Sequence, residues 1–179
     1  MTANRHLIAR TLFVSAVLGA SIPVHAQAVV PGRCHMGSCG EMIIASKTPL
    51  RSTSIGTLYE VRTGYRSWPM GTARPSPAKV PFGKAQVGYV LCSTRKPAYI
   101  FQAGEGSTAN YLAHLLNPDG QSYFGYNQSD YSIYWATCHN LVGPVFFSPE
   151  MTTKSIQLGY PGNLPQDQIE INHPLDLVR

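Results

Sequence analysis

Four cysteines, Cys34, Cys39, Cys92 and Cys138, constrain this 179-residue chain more than any other feature. An even count favours two disulfides if the compartment is oxidising. The N-terminus speaks to that compartment. Arg5 and Arg10 lie in a basic start without acids. The apolar run "TLFVSAVLGASI" (Thr11 to Ile22) follows, and "PVHA" ends on Ala26, with Val24 two residues earlier. Basic start, apolar middle and small-residue exit form the secretory signal pattern. Residues 1–26 are therefore expected to be a signal peptide cut after Ala26, with Ala28 as a second choice. The apolar run falls short of the ~20 residues a spanning helix needs. No later segment reaches that length, so no transmembrane segment is expected after signal removal, and the location expected is the periplasm or outside the cell. The remaining 153 residues are the size of one domain.

Four cysteines allow three pairings. Cys34 with Cys39 and Cys92 with Cys138 is the preferred set. The first two are close in sequence and Gly37 lets the chain turn between them. Cys92 and Cys138 each sit in an apolar segment with core character. The stretch "GRCHMGSC" also gathers Cys34, His35, Met36 and Cys39, and thiolate, thioether and imidazole are the ligands that select copper. A copper or zinc site there is the alternative. It requires thiolates, which a disulfide consumes. The C-x₄-C spacing matches neither the zinc pattern of paired C-x₂-C units nor the C-x-x-C redox motif.

Residues 27–40 read as an extended lead with a small cysteine loop, residues 41–162 as a β-rich globular domain, and residues 163–179 as a loose C-terminal extension. "EMIIAS", "TLYEVRT", "VGYVLCS", "AYIFQ", "GPVFFS" and "KSIQLGY" are strand candidates. "TRKP" can join the third and fourth of these as a hairpin. Trp68 to Lys84 holds four prolines and no period, which predicts a long surface loop. Ser107 to Asn117 leans to a short helix capped by Ser107 and stopped before Pro118, with a strand leading into the "NPDG" turn as the other reading. In "SDYSIYWATCHN", Tyr131, Tyr134, Trp135 and Cys138 fall at i, i+3, i+4 and i+7, one face of a helix. The fold class is α+β: a single small β-rich domain with one or two short helices, stabilised by disulfides.

The net charge is +5, and losing Arg5 and Arg10 with the leader brings it to +3. From Lys47 to Lys96 nine basic residues face one acid, Glu60. From Pro97 onward seven acids face Lys154 and Arg179. A basic face for an anionic partner is one consequence, and mutual neutralisation of the two halves is the other. Nucleic-acid binding is not expected, since no helix–turn–helix, zinc-finger or RNP pattern is present.

No G-x-S-x-G, H-E-x-x-H, phosphate-loop or dinucleotide signature occurs. His139 beside Cys138 is the most notable titratable residue, and a hydrolase built around it is a further alternative. It needs an acid and a free nucleophile nearby. The stretch "YFGYNQSDYSIYW" (Tyr123 to Trp135) is dense in aromatics, which serve equally as core or as contact surface. A contact surface would draw on Trp68, Arg74, Lys79, Tyr123, Tyr126 and Tyr131.

The segments "YVLCSTRKPAYIF" (Tyr89 to Phe101) and "GYNQSDYSIYWATCHN" (Gly125 to Asn140) resemble a pattern in small exported bacterial proteins with no assigned activity. The likeness covers under a fifth of the chain and implies a cell-envelope location. The function expected is that of an exported, non-catalytic envelope protein: a binding or inhibitor-like module for a protein or glycan partner, without a cofactor.

Overall fold

Among the described residues, seven antiparallel strands follow one another through a single sheet in strict chain order. The structure is a computed structural model and describes residues 28–119, 127–143 and 149–179. The expected signal peptide, Tyr123, Tyr126 and all of "GPVFFS" but its first glycine lie outside the described residues. The strands are β1 (Ala28–His35), β2 (Ser38–Ser52), β3 (Thr57–Pro69), β4 (Gln86–Cys92), β5 (Ala98–Gln102), β6 (Tyr111–Leu115) and β7 (Gln168–Ile171). Two helices, α1 (Gln128–His139) and α2 (Glu150–Gln157), complete an α+β fold with a short 3-10 helix at Pro174–Val178. Both expected disulfides are present, Cys34–Cys39 and Cys92–Cys138.

The two-residue period of the strands splits the apolar residues between two cores. Val30, Met42, Ile44, Val61 and Val90 pack with Tyr131, Tyr134 and Trp135 of α1 on one side. Leu58, Leu91, Ala98, Ile100 and Ala113 pack with Leu177 and Val178 in the other cluster. Helix α1 is buried continuously from Tyr131 to Thr137, not along one face only. The sheet takes one side, while Met151 and Tyr160 join the same core. The aromatics Tyr131, Tyr134 and Trp135 hold one face, and the small or aliphatic residues Ser132, Ile133, Ala136 and Thr137 let the remaining faces be buried as well. Asn140 ends it in the left-handed region at φ 53°.

Four segments depart from the expectations. Tyr111–Leu115 is a strand, not a helix, because β5 and β7 flank it and both pair with it. Alternation then sends Ala113 into one core and Leu116 into the other. "KSIQLGY" is not a strand: Lys154–Gln157 completes α2, where Met151 and Ser155 are buried at i and i+4. Finally, the terminal segments belong to the domain. The described part of the expected lead belongs to the sheet, since Ala28–His35 pairs along β2. The tail is no loose extension either: β7 pairs with β6, and the 3-10 helix inserts Leu177 and Val178. His173 caps that helix by accepting from the Leu175 N–H, while Asp176 accepts from the His173 N–H. Leu177→Ala is expected to lower the unfolding free energy by about 2–3 kcal/mol through lost burial and a residual cavity. Urea denaturation of the purified variant checks it.

Candidate functional site

The β1–β2 turn is the local starting point. Its tip residues, Met36 and Gly37, both have positive φ, 47° and 77°. That is the backbone a two-residue hairpin with right-handed twist requires, and glycine suits it. The turn sets Cys34 opposite Cys39, and the β2–β3 register sets Cys39 opposite Trp68 and Glu41 opposite Arg66. Disulfide, indole and ion pair are thereby gathered at one end of the sheet.

The expected loop begins two residues later than Trp68, because Trp68 and Pro69 end β3 by pairing with Cys39 and Ser38; from there to β4 it has no helix or strand, yet it is anchored. The Gly83 N–H donates to the Tyr65 carbonyl at 2.9 Å and Arg66 Nη1 donates to the Val80 carbonyl at 2.9 Å. Phe82 lies under the Arg66 guanidinium, 4.6 Å from its ring centre. Gly64 permits this close approach, since a Cβ there would lie 3.0 Å from the Gly83 carbonyl oxygen and crowd the loop. The loop carries Arg74 back to the sheet.

Glu41 is the buried centre of this arrangement. Arg66 Nε donates to its Oε1 at 2.6 Å, and Arg66 Nη2 reaches the same oxygen. Arg74 Nε and Nη2 both reach Oε2 at 2.7 Å. The side chains of Glu41 and Arg66 are 6% and 1% exposed, whereas that of Arg74 is 60% exposed. Two guanidiniums around one carboxylate leave a net charge of +1. Beside them runs a groove of about 380 Å³, lined by β1 from Val29 to Gly32 and by Cys34, Cys39, Trp68 and Arg74.

The structure thus brings together four of the residues singled out from sequence: Cys34, Cys39, Trp68 and Arg74. Lys79 is exposed on the same loop but does not line the groove. Tyr131 is not surface at all. It is fully buried, and its hydroxyl accepts from the Asn117 N–H and from Gln166 Nε2, both at 3.0 Å. Glu41 and Arg66 were not legible as site residues, although a lone acid inside an apolar strand segment was the available signal. The basic run from Lys47 to Lys96 is dispersed: Arg66 is buried, Arg95 donates to the Ser54 carbonyl, and Lys47 donates to the Thr137 carbonyl at the end of α1.

The alternative sites have different surroundings. The Cys34–Cys39 bridge uses both thiols of the supposed metal set, and Met36 is 89% exposed at the turn. Among the described residues no three His, Cys, Asp or Glu side chains are grouped to hold a metal ion. Among the described residues, His139 meets neither a carboxylate nor a free cysteine thiol. A chain of hydroxyls fixes it instead. Tyr134 donates to the Ser93 carbonyl at 3.1 Å, its oxygen is 2.7 Å from the Tyr160 hydroxyl, and that hydroxyl is 2.6 Å from His139 Nε2. The carbonyl only accepts, so satisfying all three bonds requires Tyr160 to donate to Tyr134 and His139 Nε2–H to donate to Tyr160. Burial, and next the charge of Lys154, push the His139 pKa down. Burial also pushes Tyr160 up to about 12.

His114 on β6 behaves oppositely. Its Nδ1 is 2.6 Å from Asp130 Oδ2 and its Nε2 is 2.6 Å from Gln168 Oε1. Both ring nitrogens face acceptor oxygens, so the arrangement is complete when both carry protons. The bond to Asp130 raises its pKa from 6.5 against the effect of burial. A raised folded-state pKa contributes stability that is fully present below the unfolded value of 6.5 and is lost as pH rises through the folded value. His139, with its lowered pKa, contributes the reverse: it destabilises as pH falls below 6.5. The melting temperature of His114→Asn is therefore expected to fall furthest below wild type at pH 5.5 and least at pH 8.5. Parallel thermal scans across that range check it.

Among protein-family models, curated proteins and solved structures, none matches this chain.

Proposed function

We propose that this protein is an exported, non-catalytic binding module of the cell envelope, working in the periplasm or outside the cell, and that it contacts a partner through the groove beside the Cys34–Cys39 bridge. The observation that carries this reading is the convergence of Trp68, Arg74 and the disulfide on one groove. Half-exposed aromatic and arginine side chains are the residue types that dominate contact energies at interfaces. Two disulfides without a free cysteine are compatible with an oxidising compartment, and the leader pattern of residues 1–26 supports export.

The test places a photo-crosslinking phenylalanine analogue at position 68, and at position 156 as a control, because Ile156 is 61% exposed on α2. Expression in the envelope followed by irradiation is expected to give one discrete adduct from position 68 and none from position 156. No adduct from position 68, or equal adducts from both, overturns the reading. Intact mass of the mature protein, expected to begin at Gln27, tests export separately.

A further inference from the structure

Resting on the binding role just proposed, we infer that the groove accepts an extended acidic segment of a partner protein, and that a carboxylate of that segment pairs with the outward edge of Arg74. The charge balance points to an anion. Glu41 is the acid that lines the groove, and both its oxygens are already occupied by Arg66 and Arg74. The second acid between Ala28 and Lys84 is Glu60, 3.5 Å from Arg62. The groove therefore keeps its +1 charge.

Arg74 is divided between two tasks. Nε and Nη2 hold it to Glu41, and Nη1 makes no hydrogen bond among the described residues. A guanidinium offers donors in a rigid planar fork, so fixing one edge orients the other. Arg74 is thus an oriented donor with its side chain 60% exposed. Arg66, buried behind it, adds positive potential without competing for the ligand.

The shape points to an extended peptide. The groove follows four consecutive residues of β1, Val29 to Gly32. Strand β1 stands at the end of the sheet order, so its outer edge has no strand neighbour among the described residues. An extended chain lying there gains main-chain hydrogen bonds from the edge and side-chain contacts from Trp68 and the disulfide. Pro31 interrupts the row of edge N–H donors, which leaves strand pairing alone incomplete and makes the carboxylate contact the orienting one.

The experiment pans a display library of random decapeptides against the oxidised full-length mature chain. Selected peptides are expected to share Asp or Glu at one aligned position. Exchanging that residue for Gln or Asn is expected to weaken binding about ten-fold or more, the range of a charge-assisted pair. Arg74→Gln is expected to erase that difference. Arg66 still holds Glu41 in this variant, and an unchanged melting temperature confirms its fold. Arg74→Lys is expected to keep part of the preference, as a point charge without the fork. Selected peptides without an acidic position, no selected peptides, or an acid preference that survives Arg74→Gln each overturn the inference. So does tighter binding of oligogalacturonate than of any peptide, which assigns the groove to an acidic glycan. If the position-68 adduct forms while the library fails, the binding role stands and the acidic-peptide chemistry falls. If neither gives a signal, both fall.

Discussion

Replacing Cys92 and Cys138 together by alanine is expected to lower the unfolding free energy by roughly 4 kcal/mol, from the chain-entropy estimate for the loop they close. The bridge spans 46 positions and ties the end of β4 to the last turn of α1. In the unfolded chain it removes conformations that the reduced chain regains. A domain of this size has roughly 5–15 kcal/mol in total, so the loss is large but survivable. The hydroxyl chain keeps the same junction in place. Ser93 follows Cys92 and His139 follows Cys138, and Tyr134 and Tyr160 connect them. The double variant should therefore retain the near-ultraviolet circular dichroism of its buried aromatics while its urea midpoint drops. Loss of the aromatic signal would show that the bridge alone holds α1 against the sheet.

Glu41→Gln is expected to destabilise by about 3–5 kcal/mol, the usual result of removing one partner from a buried ion pair. Arg66 would stay buried beside a neutral amide, with the Val80 carbonyl and the Phe82 and Trp68 rings as its described partners. Arg74 would lose its hold on the sheet. The companion variant Glu41→Leu with Arg66→Met removes the charge from both sides, and it is expected to be far less harmful than Glu41→Gln alone. Chemical denaturation of the two side by side decides whether the pair contributes net stability or mainly fixes where the loop lies.

Much of the fold was legible where a local pattern is strong. The β4–β5 hairpin shows as two runs rich in β-branched and aromatic residues around "TRKP". Helix α1 shows through the spacing of Tyr131, Tyr134, Trp135 and Cys138. The cysteine pairing followed from proximity for Cys34 and Cys39, and from apolar surroundings for Cys92 and Cys138. Segments of four to eight residues were harder. "YLAHL" and "KSIQ" fit a helical or an extended period about equally over so short a length. Tertiary partners decide them: Gln168–Ile171, more than fifty positions downstream, draws Tyr111–Leu115 into the sheet.

The site was half legible for a similar reason. Trp68 and Arg74 stand out because large aromatic and cationic residues at and within a proline-rich stretch invite contact. Glu41 and Arg66 become partners only through the β2–β3 register, which no local window contains. Tyr131 misled because an aromatic-rich stretch looks the same whether it faces water or a core.

The strictly sequential order of the strands bears on how the two bridges are acquired. Each native disulfide joins a cysteine to the next one along the chain: first to second, third to fourth. A chain emerging N-terminus first into an oxidising compartment presents Cys34 and Cys39 on a finished hairpin before Cys92 arrives. That pair can be sealed before it has a wrong partner to meet, and Cys92 then waits only for Cys138. If the chain is exported as proposed, this order of appearance would let it reach its native connectivity by successive oxidation without a shuffling step.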